Sequence, residues 1–149
     1  MVVDFEFKRA PAWTVATVAW TGPWKDERIR SEFEKLAGWA KSKRLRTGKW
    51  IFMETSSRHF RVAIEVRGKA RGEGKVHLRK LPASRVAAIV FDPEELSPRV
   101  AYHGMNDWLR WRRKEKEIKS AGAYREVYTG NPWSDAKAFA HTEIQVLVR

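Results

Sequence analysis

Two stretches decide the fold: KRAPAWTVATVAWTG, from Lys8 to Gly22, and RKLPASRVAAIVFDP, from Arg79 to Pro93. Pro11 aligns with Pro82, Ala12 with Ala83 and Val15-Ala16 with Val86-Ala87, at a constant offset of 71. Self-similarity at a fixed offset means that one supersecondary unit is built twice. In each copy the proline divides two strand-like arms, and a helical stretch follows. Ile29, Phe33, Leu36, Ala37 and Ala40 recur at helical spacing and predict a first helix over Lys25 to Lys43, preceded by Gly22-Pro23-Trp24. A second helix is expected over Pro98 to Lys119, with Val100 or Ala101, Met105, Trp108, Leu109 and Arg112 on the matching face. The mixed charges of its tail, RRKEKEIK, read as a solvated face.

The repeat continues into the closing strands. HFRVAIEVR (His59 to Arg67) lies over HTEIQVLVR (His141 to Arg149) at an offset of 82. Phe60, Val62, Ile64 and Val66 alternate in one, Ile144, Val146 and Val148 in the other, so each strand has a buried face and a mixed face. RGKARGEGK, Arg67 to Lys75, reads as a connector. The expectation is a single α+β domain over 1–149. It contains two pseudo-twofold-related halves, about 1–68 and 75–149, each read as two strands, a helix and two strands. One helix covers one face of its antiparallel sheet. The uncovered faces must then meet each other or line a groove.

Composition narrows the function classes. A chain of 149 residues, 43% hydrophobic and 32% charged, suits one globular domain with a real core. Cysteine is absent, which excludes disulfides, thiolate metal sites and a thiol nucleophile. His59, His77, His103 and His141 lie far apart, so no metal site is expected. Ser56 and Ser57 near His59 do not make a Ser-His-acid arrangement, and GKARGEG lacks the strand-loop-helix setting of a phosphate loop, so no cofactor is expected. The apolar runs are too short to span a membrane and the start carries acids where a leader needs bases, which points to the cytoplasm. A net charge of +12 with eight tryptophans admits a nucleic-acid partner. A solvated surface rich in Lys, Arg and Glu explains the charge more simply. Lys41, Lys43, Arg44, Arg46 and Lys49, like Arg110, Arg112, Arg113 and Lys114, read as helix-end cations that suit the helix dipole.

The segment AYREVYTGNPW, Ala123 to Trp133, holds the candidate site. As a strand it sets Tyr124, Glu126 and Tyr128 on one face and Arg125, Val127 and Thr129 on the other. KWIFMET takes the same place in the first half, where Trp50, Phe52 and Glu54 match the three at an offset of 74. Ile51 and Met53 are expected to face the helix, leaving the aromatics on the opposite side. Left open to water, such an apolar patch is costly. A cleft between the halves would shelter it, and would hold Glu54 and Glu126 in low-dielectric surroundings with raised pKa values. Aromatic walls around a carboxylate suit a planar or cationic organic molecule. A plain sheet surface, with Glu126 paired to Arg125 or Lys137, accounts for the same pattern.

These residues resemble the GyrI-like small-molecule-binding domain, found in free-standing proteins and as the effector-binding domain of AraC-type and MerR-type multidrug regulators. TGPWKDERIRSEFEKLAGWAKSKRL is similar to the family's Gly-Pro-aromatic turn and amphipathic helix. REVYTGNPW is similar to its Glu-x-Tyr-x-x-Asp/Asn-Pro signature. TEIQVLV is similar to a terminal Thr-Glu-Ile-x-x-Pro-Val strand, with Leu147 in place of proline. The resemblance implies a duplicated SHS2-like module of two β-α-β-β units with helices on one side and a ligand cleft on the pseudo-twofold axis. It implies that Glu126 meets cationic or polar ligand groups, with Tyr128 beside it and Trp24 near the mouth. Tyr124, Trp50, Phe52 and Glu54 come from the strand pattern and the repeat instead. The favoured role is a stand-alone sensor or detoxifying binder of a small organic molecule. Some relatives hydrolyse strained cyclopropane toxins, which would make Glu126 a general base and Glu54 a second acid. Others are described as gyrase inhibitors, which implies a transcription or topoisomerase protein, or nucleic acid, as partner of the basic face.

Overall fold

The computed structural model describes residues 4–149. In chain order the elements are β1 (Glu6–Ala10), β2 (Trp13–Thr21), α1 (Asp26–Ser42), β3 (Arg46–Ser56), β4 (His59–Arg67) and β5 (His77–Leu81). There follow β6 (Ser84–Phe91), α2 (Pro98–Lys114), β7 (Ala121–Tyr128), α3 (Ala136–Ala140) and β8 (Thr142–Val148). The chain forms two compact units. The N-unit is Ala12–Pro82; the C-unit joins the residues up to Pro11 to Ala83–Arg149.

Both units have the same α+β plan. In the N-unit the antiparallel order is β3-β4-β2-β5, and in the C-unit β7-β8-β6-β1. They differ from the sequence repeats in one respect: the leading arms are exchanged. β1 pairs with β6, with Phe7 opposite Ala87, and β5 pairs with β2, with Leu78 opposite Ala16. Pro11 and Pro82 stand where the chain leaves one unit for the other. Proline has no N–H for a ladder and fixes φ, so a strand ends there and the next begins in a new place.

Local chemistry sets the helix ends. Asp26 and Glu27 lie in the first turn of α1, where the dipole favours acids. Ser97 caps α2 by accepting from the Val100 N–H, and Pro98 opens the helix. α2 stops at Lys114, short of the expected Lys119. Lys116 takes a positive φ of 60°, Ile118 turns into the core, and the N–H of Ser120 bonds the Arg149 carbonyl. Burying Ile118 outweighs about one and a half more turns of solvated helix.

The core corrects the expected facing of β3 and β7. Ile29, Phe33, Leu36 and Ala40 form the buried stripe of α1, and the Phe33 ring stacks on Trp50 at 5.0 Å and 20°. The aromatic side of β3 therefore lies under the helix, and buried Ile51 points to the other side. Register explains it: Trp50 sits opposite Ile64 and Phe52 opposite Val62, in line with the apolar set of β4 that α1 covers. The C-unit follows suit. Ala101, Met105 and Leu109 of α2 pack with Ala87, Ile89, Phe91, Ile144, Val146 and Val148, and Tyr124 lies against this cluster. Arg125 and Val127, on the other face, are also buried.

Phe33 is fully buried in the N-unit core, stacked on Trp50. Phe33→Ala is expected to destabilise the fold by about 3–5 kcal/mol, read from urea unfolding.

Candidate functional site

β7 carries Tyr124, Glu126 and Tyr128 along the face beneath α2. Glu126 lies across from Ile144 on β8, half-buried, where a carboxylate needs partners. It has two. The Tyr102 hydroxyl donates to its Oε1 at 2.5 Å, and the Tyr128 hydroxyl donates to its Oε2 at 2.6 Å. The Tyr124 hydroxyl donates to Asn106 Oδ1, and the Tyr102 and Tyr124 rings meet edge to face at 5.4 Å. All three tyrosines of the chain thus converge on one carboxylate and one amide.

Tyr102 and Asn106 were not among the residues expected from sequence. They stand four apart on α2, one position beyond the buried Ala101 and Met105, so both reach over β7 from the flank of the core stripe. A phenol on the edge of an otherwise apolar stripe is the signal that marks Tyr102. Burial, followed by the Glu126 charge, holds its pKa well above the ordinary phenol range; burial raises Tyr124 too. The raised pKa holds Tyr102 as a protonated donor to Glu126.

The remaining candidates lie in the N-unit. Trp50 and Phe52 are 6% and 4% exposed and pack under α1 as core. Trp24 is 52% exposed, donates from Nε1 to Asp26 Oδ1 at 2.9 Å, and sets its edge on Phe52 at 5.1 Å. Glu54 is exposed near the end of β3, without the desolvated surroundings expected for it. Arg125 lies on the opposite face of β7, where its Nε donates to Gln145 Oε1 at 2.7 Å, and burial lowers its pKa. Several bases of the expected charged surface have acid partners, among them Lys43 with Glu73 at 2.8 Å, Arg112 with Glu117 at 2.7 Å and Arg110 with Asp107 at 3.3 Å. Among the described residues, no helix is long and apolar enough to cross a membrane.

Comparison with known proteins agrees with this architecture. The family described as GyrI-like small molecule binding domain matches residues 4–149. No curated protein matches the chain in sequence. Among solved structures, the EcmrR C-terminal domain superposes with a TM-score of 0.73 at 19% identity, covering 100% of this chain and 99% of that one. In an EcmrR–DNA complex the match has a TM-score of 0.74 at 17% identity and covers 99% of this chain, which spans 57% of that longer one. SAV2435 bound to tetraphenylphosphonium gives 0.56 at 10% identity, over 98% and 94%. A hydrolase from Listeria innocua gives 0.62 at 12%, over 97% and 91%.

The raised phenol has a measurable consequence. A folded-state pKa above the unfolded value of about 10 stabilises the fold fully below that pH, and the contribution is lost as pH rises toward the folded value. Unfolding free energy is expected to fall more steeply above about pH 10 in wild type than in Tyr102→Phe, as measured by denaturant titration across that range.

Proposed function

The chain belongs to the GyrI-like small-molecule-binding family, and on that premise we propose that it captures an organic cation with Glu126 as counter-charge and the three tyrosines as walls. The observation that carries this reading is the pair of phenolic hydrogen bonds on Glu126. They keep a carboxylate in place under a helix when no ligand is present. Each oxygen has a second lone pair, and each phenol can swing its hydroxyl aside while keeping its ring near the carboxylate. A cation reaching Glu126 then gains the charge and the π-faces of Tyr102, Tyr124 and Tyr128 together. Tyr102 and Asn106 ride on α2, so a small shift of that helix against β7 opens the carboxylate to a bulky guest.

Binding accounts for the arrangement better than base catalysis does. Both Glu126 oxygens already accept phenolic protons, and Glu54, the second acid a hydrolase would use, is exposed on β3 of the N-unit. A stand-alone sensor or a detoxifying binder in the cytoplasm needs only the capture step, and a transcription protein that reads the bound state is the partner such a sensor would have.

Tetraphenylphosphonium, the ligand in the SAV2435 structure, is a suitable probe. Calorimetry on wild type and Glu126→Gln is expected to show a loss of at least about tenfold in affinity, about 1.4 kcal/mol. Tyr128→Phe, which keeps the ring and removes a competing donor, is expected to stay within about threefold of wild type. Equal affinity in wild type and Glu126→Gln would overturn the reading.

A further inference from the structure

The two units fill one equivalent space in different ways. In the C-unit, Phe5 and Phe7 at the edge strand close against Trp108 of α2, with ring centroids 5.8 and 4.7 Å from it. Gly104 admits the Phe5 ring, since a Cβ there would stand 2.9 Å from its Cζ. Arg85 and Arg112 lie over Phe7 and Trp108 at 4.6 and 4.9 Å. Three rings capped by guanidinium groups thus occupy the space between helix and edge strand.

Register identifies the counterparts in the N-unit. Ala16 matches Ala87, so Leu78 stands where Phe7 does and Val76 where Phe5 does. The helix repeat that sets Phe33 on Met105 sets Leu36 on Trp108. Three aromatic rings are replaced by two leucines and a valine, and a cavity of about 620 Å³ remains, lined by Leu36, Val76, Val18 and Trp20. That volume lies in the range of small-molecule sites. Neither Arg85 nor Arg112 has a counterpart here, since Thr14 and Ala40 stand at the matching positions. A different guanidinium, that of Arg28, sits 5.5 Å from the Trp20 ring centroid.

The rim sets the charge of the guest. Arg28, Lys35, Lys75 and His77 line the cavity with one carboxylate, Glu32. Glu32 is buried and its Oε1 accepts from Arg28 Nε at 3.2 Å and Lys35 Nζ at 3.5 Å. A cation guest would meet three cations; an anion meets a positive rim over an apolar floor.

We infer that the N-unit carries a second binding site, between α1, β2 and the turn before β5, for a flat aromatic anion. The guest supplies the rings that Phe5, Phe7 and Trp108 supply in the C-unit, and its acid group lies at Lys35, Lys75 and Arg28. This site differs from the Glu126 site in unit, residues and sign of charge.

The test uses 2-naphthalenesulfonate as probe and the indole N–H signals in a nitrogen-15 spectrum, with the Trp20 peak assigned through Trp20→Phe. The expected result is a saturable shift of the Trp20 peak with sub-millimolar affinity, weakened by about tenfold or more in the double variant Lys35→Glu, Lys75→Glu. Val76→Phe, which restores one of the three rings, that of Phe5, is expected to narrow the cavity and weaken binding. No saturable Trp20 shift up to about 5 mM would overturn the inference. So would a charge-reversed protein that binds within about twofold of wild type, or a Val76→Phe protein that binds unchanged.

Discussion

The site depends on the half-buried Glu126 carboxylate held by two phenols. A carboxylate under a helix is tolerated when hydrogen bonds replace the water it has lost. Tyr102 and Tyr128 provide them, one from α2 and one from β7 itself, so the charge is held from both elements that enclose it. That contact depends on the facing of β7, which register with β8 sets, because Glu126 can reach Tyr102 only if the tyrosine face lies beneath α2. It also fixes the rotation of α2, whose Met105 stripe must enter the core while Tyr102 and Asn106 stay over the strand.

The N-unit shows the same scaffold without this polar cluster. At the matching positions of β3 stand Trp50, Phe52 and Glu54, and the helix meets them with Phe33. The α1 residues that match Tyr102 and Asn106 are Arg30 and Glu34, which pair with each other at 2.9 Å on the exposed face. One unit thus spends its helix–strand interface on an aromatic stack and leaves a cavity at its edge. The other fills its edge with aromatics and places its polar chemistry at the interface. A duplicated fold has divided its packing space in two ways, and the two guests proposed for it are opposite in charge.

Much of this was legible in the sequence. The matched prolines and the Val-Ala pairs gave away the duplication, the helical stripes gave α1 to within a residue at each end and α2 at its start, and REVYTGNPW held the glutamate on which the proposed site is built. Three things were hidden for physical reasons. Alternation divides a strand into two faces but does not say which one a helix covers. That depends on register with β4 and β8, which is a tertiary property. The exchange of β1 and β5 was hidden likewise, since an arm ending at proline pairs equally well in either unit as far as its own residues show. Tyr102 escaped because it sits beside the core stripe, where a tyrosine reads as packing until its hydroxyl finds a partner.

In the proposed binding mode the three tyrosines and Glu126 enclose a cationic guest. With all three tyrosines of the chain at the site, selective tyrosine labelling reports on it without overlap. The most direct measurement is the set of intermolecular NOEs between tetraphenylphosphonium and the labelled rings. Contacts from the phenyl protons to Tyr102, Tyr124 and Tyr128 together are expected, lost in Glu126→Gln. Saturable binding with contacts to none of the three rings would contradict that mode.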